Sequence, residues 1–210
     1  MSAGTVARKP ASVEHAAAAA IPVAAVTAST MADALQLAEG HTVVAIGATG
    51  GVGSYFVQLA ARRGARVVAV CSGENAGYAR RLGAADVIDY AADDVVEAVR
   101  SRYSGGIDAI ADMHGDRETI AGLAELVRSG GHVASAVGAA DAEVLGGRGI
   151  EATNVMGKVQ SALLQALAAM LERGEITSPD IRSFSLADAG QALAAVGSGH
   201  VRGKFIVTPM

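Results

Sequence analysis

Hydrophobic positions along this chain switch repeatedly between a helical period and short apolar runs. Residues 1–14 are small and polar, and 16–37 are helical in composition, with a break or kink expected at Pro22. After Gly40 the texture changes. Thr42–Ile46 (TVVAI) is a β-branched run, and 51–63 carries Val52, Phe56, Val57, Leu59 and Ala60 on a helical stripe that Gly64 stops. Apolar runs predict further strands over 66–70, 86–88, 107–111, 132–137 and 150–154, with helices over 75–82, 93–103 and 118–127 among them. A long helix follows over 159–173, with Leu163, Leu164, Leu167 and Met170 facing inward, then a helix over 187–196 and a last strand over 205–208.

Alternating helices and near-continuous apolar strands imply an α/β fold built on a parallel sheet covered on both faces. Six strands fit a doubly wound dinucleotide-binding (Rossmann) sheet in the order 3-2-1-4-5-6. Its expected extent is 16–199, after a flexible lead-in over 1–15 and before a C-terminal strand within 200–210.

Composition narrows the function. The 210 residues are 51% hydrophobic and 18% charged, enough to bury a core, yet only 3% aromatic with no Trp. A core of small side chains suits helices packed closely on a sheet and argues against stacking on nucleic-acid bases. A net charge of -4 without a Lys/Arg cluster argues against any polyanionic partner. The single cysteine, Cys71, leaves no internal disulfide and no cysteine-built zinc site, and His15, His41, His132 and His200 show no metal-ligand spacing. The run after Arg8 and Lys9 has the look of an export signal, but Glu14, His15 and Pro22 interrupt it and it is too short to span a bilayer. The expectation is a cytoplasmic protein that binds neither membrane nor metal.

The chemistry is carried by Gly47-Ala48-Thr49-Gly50-Gly51-Val52-Gly53, which joins the first strand to the first crossover helix. In that context a glycine run points to dinucleotide binding. Gly50 admits a pyrophosphate to the backbone, Gly53 admits the strand to the helix, and the free amides of Gly51 and Val52 face the anion with Thr49 beside them. Ala48 stands where the G-x-G-x-x-G pattern has its first glycine, so an ordinary glycine-rich turn is the competing reading. Two other nucleotide motifs fail. Gly157-Lys158 and Gly203-Lys204 are followed by Val159 and Phe205, not by the Ser/Thr of an ATPase phosphate loop, and no Tyr is followed four residues on by Lys.

ATGGVGSYFVQLAARRGARVVAV, RRLGAADVIDY, GGIDAIADMHG, GGHVASAVG and GHVRGKFIV together resemble the medium-chain dehydrogenase/reductase superfamily. The branch they resemble is the zinc-free, quinone-oxidoreductase-like group. That resemblance implies hydride transfer from a nicotinamide cofactor to a quinone, enone or related carbonyl substrate. Family chains begin with a GroES-like β domain that shapes the substrate pocket, and this chain starts at the lead-in to the cofactor domain. A non-catalytic NADP(H)-binding or redox-sensing module, or half of a split enzyme completed by a separate GroES-like chain, are therefore the competing functions, and no residue is assigned to catalysis. The final strand usually joins the sheet of that β domain.

Cys71 ends the second strand where an acid usually holds the ribose of NAD, so NADP(H) is favoured over NAD(H). Ser72 and Asn75, in the turn containing Gly73, are suited to hydrogen-bond a 2′-phosphate, while Glu74 would repel it. By the resemblance, Tyr90 contacts the adenosine, and Val137 and Gly138, placed at the end of the fifth strand, hold the nicotinamide carboxamide by their backbone. His114, after Asp112 and Met113 at the switch point, lines the cleft, and Asp112 holds loop backbone. Family practice also implies a homodimer through the outer strand, 150–154.

Overall fold

The computed structural model describes residues 3–197, 199 and 201–209; His200 lies outside them. Six parallel strands form the main sheet in the order β3-β2-β1-β4-β5-β6, the order expected for a doubly wound fold. They are β1 (Thr42–Ile46), β2 (Arg66–Cys71), β3 (Asp86–Asp89), β4 (Ile107–Asp112), β5 (Val127–Ser135) and β6 (Glu151–Asn154). The helices of the N-terminal segment are α1 (His15–Ala19) and α2 (Val26–Ala34); α3 (Gly51–Arg62), α4 (Ala76–Arg81), α5 (Val95–Arg102), α6 (Arg117–Ala124), α7 (Ala142–Gly146) and α8 (Ser161–Glu172) follow.

The two faces of the sheet differ in side-chain size. Ala45, Ala69, Ala109, Ala111 and Ala134 face one side, and Val44, Ile46, Val68, Val70, Ile110 and Val133 the other. Methyl groups on the first face leave depth for Tyr55, Phe56, Met31 and Leu35, all fully buried. Branched strand residues fill the second face themselves, against Val99 of α5 and Ile120 and Leu123 of α6. The Ala-rich composition is therefore a packing solution, with close-set helices on one layer.

Pro22 does not end the N-terminal helix. Between α1 and α2 the chain makes one wide turn, Ile21–Ala25, of the π type. Proline donates no amide hydrogen and its ring crowds the preceding turn, and a local widening accommodates both. The whole segment His15–Ala34 is long and apolar enough to cross a bilayer, with mean hydropathy 1.3, but half of that stretch is buried within the fold. Residues 6–14 lie along α8, with Ser12 Oγ donating to Glu172 Oε1 at 2.9 Å and Val13 buried.

Strand β5 departs from expectation at both ends. It begins at Val127, which pairs with Ile107, and regains register only at His132 opposite Ala109. Residues 128–131 bulge between, where a Cβ on Gly131 would lie 2.7 Å from the Asp108 carbonyl oxygen. The strand ends at Ser135, so Val137 and Gly138 sit in the turn beyond it.

A second, two-stranded sheet was not expected. It consists of β7 (Ile181–Ser185) and β8 (Lys204–Thr208), which run parallel and are joined through α9 (Ala189–Gly197). The tail strand is thus partnered by a segment that the hydrophobic pattern left without an element. It is also tied to the glycine loop: Gly203 donates its amide to Thr49 O at 2.9 Å, and Lys204 donates to Asp180 O at 2.8 Å.

Between β1 and α3 there is room for nothing beyond hydrogen at Gly53. A Cβ there would lie 2.1 Å from the Gly47 carbonyl oxygen and 2.7 Å from the Ala48 carbonyl carbon, both rigid backbone. Gly53→Ala is expected to cost about 3 kcal/mol or more. Urea denaturation of the variant measures it, and a loss below about 1 kcal/mol would show that α3 can shift.

Candidate functional site

The C-terminal ends of β1 and β4 mark the switch point, because the chain leaves β1 towards β2 on one side and returns as β4 on the other. A cleft of about 720 Å³ opens there. Its floor is the glycine turn. Gly47 takes φ +75°, its carbonyl accepts from Gly50 N at 3.1 Å, and Gly50 then enters α3 in extended conformation. No side chain caps α3, and the first amides of a helix have no partner within it. The result is an uncapped helix start facing a cleft, which suits an anion.

Of the residues expected at the site, Thr49, Gly50, Ser72, Asn75, Tyr90 and His114 line this cleft together. Others stand behind or beside it. Gly53 faces the β1 turn, Val52 packs on the core, and a Cβ on Gly73 would meet Asp89 Oδ2 at 2.3 Å. Gly51 lies under Lys204, whose Cδ is 2.8 Å from the position of a Gly51 Cβ. Val137 is 52% exposed in the turn after β5, with its Cγ2 3.2 Å from where a Cβ of Gly115 would be, and Gly138 takes φ +81° beside it.

That turn, and the loop after β4, are held by two buried side chains. Asp112 Oδ1 accepts from the amides of His114 and Gly115, each at 2.9 Å, and its Oδ2 accepts from the Ser135 hydroxyl at 2.6 Å. The Ser135 oxygen in turn accepts from the amides of Val137 at 3.2 Å and Ala139 at 3.0 Å. This is the physical reason that β5 stops short of Val137: its amide is diverted from the ladder. On the next strand, the Asn154 amide brackets Ala140, accepting its N–H at 3.1 Å and donating to its carbonyl at 2.9 Å. Asp112 therefore organises backbone and faces no ligand.

The charged side chains that line the cleft are carboxylates, among them Glu74 beside Asn75. Asp93, Asp94, Asp116 and Glu118 line the side formed by the starts of α5 and α6. The Thr119 hydroxyl, bonded to Asp116, holds that carboxyl below its usual value, so it stays ionised. Two cations of the tail stand outside that lining: Lys204 over Gly51, and Arg202, which pairs with Asp180 at 2.7 Å and donates from Nη1 to Asn75 Oδ1 at 3.4 Å. Asn75 also donates to Ser72 Oγ at 2.9 Å. Burial pushes the Cys71 thiol up, which suits a wall residue and not a nucleophile. Burial likewise pushes the Tyr55 phenol up to about 12, and that side chain belongs to the core.

Sequence reasoning missed Ser135, Arg202, Lys204 and Tyr78. The Tyr78 hydroxyl donates to Ser54 Oγ at 3.1 Å and accepts from Asp180 N at 3.1 Å, fastening α3 to the segment before β7. The available signal is the Arg202-Gly203-Lys204 triplet, two cations around a glycine ahead of the last strand.

The profile of the zinc-binding dehydrogenase family matches residues 82–207, more than half of the chain. The chain belongs to this family. It lies within the medium-chain dehydrogenase/reductase superfamily that its motifs resemble. A mouse (Mus musculus) protein, NAD(P)H oxidoreductase RTN4IP1, mitochondrial, is 28% identical over 235 residues, covering 99% of this chain and 59% of the relative. Trans-enoyl reductase himH of Aspergillus japonicus is 39% identical over 93 residues, 44% of this chain and 27% of that one. Among solved structures, the quinone oxidoreductase from Coxiella burnetii superposes with a TM-score of 0.83 at 25% identity, covering 91% of this chain and 60% of that one. The chain spans about three-fifths of the length of the mouse relative it matches. The family is described by zinc, yet among the described residues no three His, Cys, Asp or Glu side chains gather to hold a metal, so the residues present do not fit one.

Ser135→Ala removes a fully buried hydroxyl and leaves Asp112 Oδ2 and two amides without their partner. The expected loss is about 2 kcal/mol, with faster hydrogen exchange at Val137 and Ala139. Unchanged exchange at both amides would show that the turn is held by other means.

Proposed function

We propose that the cleft binds a nicotinamide dinucleotide, and that the chain is the cofactor-binding part of a reductase acting on a quinone, enone or related carbonyl compound. The observation that carries this reading is the uncapped start of α3, opening into a cleft at the switch point of a doubly wound sheet. The cradle fits the group. Thr49 and Gly50 line it, a Cβ at Gly50 would meet only the Gly47 carbonyl oxygen at 3.4 Å, and the remaining space is open. The acidic side gives direction: the dinucleotide's phosphates belong against the start of α3, with Lys204 over Gly51, and away from the carboxylates of α5 and α6. Relatives named as NAD(P)H oxidoreductases, enoyl reductases and quinone oxidoreductases support the same chemistry.

A bound nicotinamide supplies the hydride, and the chain's own residues bind, orient and exclude water. Thr49, Gly50 and Lys204 would hold the pyrophosphate, Ser72 and Asn75 the adenosine ribose, and Tyr90 the adenine. The turn at Val137 and Gly138, set by Ser135, would face the carboxamide. The absence of an acid at Cys71 and the hydrogen-bonded Ser72–Asn75 pair support NADP(H) over NAD(H), against the opposition of Glu74. The β7–β8 sheet, with Leu186, Leu193 and Val207 exposed around it, is the face we assign to a GroES-like substrate domain, on this or a separate polypeptide.

Two measurements check this reading. Gly50→Asp places a favoured N-cap residue on α3, so folding stability should hold or rise, while its carboxylate fills the anion cradle. NADPH affinity should be micromolar in the original chain and fall at least about tenfold in the variant. Equal affinities would remove the glycine turn from the site. The open edge of β6 is the proposed homodimer contact; Ile150, buried in the core, takes no part in it. Light scattering should give twice the chain mass, and a monomer at high concentration contradicts it.

A further inference from the structure

Behind the glycine turn lies a closed ring of hydrogen bonds. Asp180, in the segment before β7, donates its amide to the Tyr78 hydroxyl at 3.1 Å, and that hydroxyl lies 3.1 Å from Ser54 Oγ. Ser54 Oγ is in turn 2.7 Å from the Gly50 carbonyl oxygen and 3.2 Å from that of Thr49. The tail closes the ring: Lys204 donates its amide to Asp180 O at 2.8 Å, and Gly203 donates its own to Thr49 O at 2.9 Å. Ser54 and Tyr78 are both buried, so water does not compete for these bonds.

The donors fix the direction of the chain. A main-chain amide can only donate, so the Tyr78 oxygen accepts from Asp180 and gives its single hydrogen to Ser54. Ser54, accepting from Tyr78, turns its own hydrogen to a carbonyl. Thr49 O already accepts from Gly203, and Gly50 O is the nearer of the two; it also accepts the Ser54 amide at 2.9 Å. All three bonds, from Asp180 to Gly50, run in one sense, so each polarises the next. The last acceptor matters because the Gly50 carbonyl and the Gly51 amide belong to one planar peptide. Holding its oxygen behind the turn aims its N–H at the cleft, and polarising that oxygen makes the N–H a stronger donor to an anion.

We propose that Tyr78 is a positioning residue for the anion cradle: its hydroxyl, acting through Ser54, orients and polarises the Gly50–Gly51 peptide towards the pyrophosphate of the dinucleotide. The assignment rests on the dinucleotide reading given above. It also couples the cleft to the small sheet, because the first donor of the chain, the Asp180 amide, immediately precedes β7. By reciprocity, an anion on the Gly51 amide tightens the Asp180 bond as much as that bond tightens the anion. The Tyr78 ring is held independently of its hydroxyl, with the guanidinium groups of Arg81 and Arg202 at 5.8 Å and 5.4 Å from its centroid. Removing the hydroxyl alone therefore leaves the ring in place.

The test is calorimetric titration of the full chain with NADPH, together with hydrogen exchange at the Asp180 amide. Tyr78→Phe should weaken NADPH binding about three- to tenfold, Ser54→Ala by a similar factor, and the double variant no further than either alone, since both break one chain. Gln58→Met is the control. Gln58 joins the same helix to Thr177, accepting its amide at 2.7 Å, and bonds to no carbonyl of the glycine turn. That variant should lower the urea midpoint at least as far as Tyr78→Phe, yet change NADPH affinity by less than about twofold. Saturating NADPH should slow exchange of the Asp180 amide in the original chain and leave it unchanged in Tyr78→Phe. If the original chain does not bind NADPH, the dinucleotide reading fails and this assignment with it. If it binds, and Tyr78→Phe binds equally well or Gln58→Met loses as much affinity, Tyr78 is a structural residue only and the dinucleotide reading stands. Additive losses in the double variant, or slowing at Asp180 that persists in Tyr78→Phe, overturn the route through Ser54.

Discussion

The whole site depends on how closely α3 approaches the end of β1. At Gly53 the helix touches the Gly47 carbonyl, and a single added methyl has no space. Because the contact is backbone to backbone, the helix cannot tilt or slide without breaking the turn that Gly47 makes at φ +75°. The first amides of α3 are thereby aimed at the mouth of the cleft. Fully buried Tyr55 and Phe56, on the next turn, fill the depth that alanine-faced strands leave beneath the helix. Sheet composition, glycine spacing and the anion cradle are thus consequences of one close approach.

Around that fixed point the loops are tied by side chains at equivalent heights on neighbouring strands. Asp112, Ser135 and Asn154 end β4, β5 and β6; Asp112 holds the loop after β4, and Ser135 and Asn154 hold the loop after β5, each through backbone amides. On the other flank, Gly203 bonds to Thr49 and Tyr78 bonds to both Ser54 and Asp180. The small β7–β8 sheet is consequently linked to the glycine turn itself. A change in how that sheet is covered would be felt at the switch-point cleft through contacts of one or two hydrogen bonds.

Much of this was legible from residue order. The six strands and their order follow from apolar runs alternating with helical stripes, and the glycine turn from its place after TVVAI. Segments defined by distant partners were not legible. Ile181–Ser185 (IRSFS) alternates weakly, and what makes it a strand is Lys204–Thr208, which lies beyond an intervening helix. The end of β5 was placed at Val137 because AVG continues an apolar run, whereas the Ser135 hydroxyl takes the amide that would have extended it. Tyr78 carries no local signature, because it meets a residue 102 positions away.

We propose above all that an uncapped helix start and two tied loops together form a dinucleotide cleft. Hydrogen exchange of the full chain with and without saturating NADPH tests it most directly. The account predicts slower exchange at the amides of residues 49–53, 72–75, 114–115 and 137–139, with β6 and α8 unaffected. Protection confined to other segments, or none at concentrations well above micromolar, would contradict it.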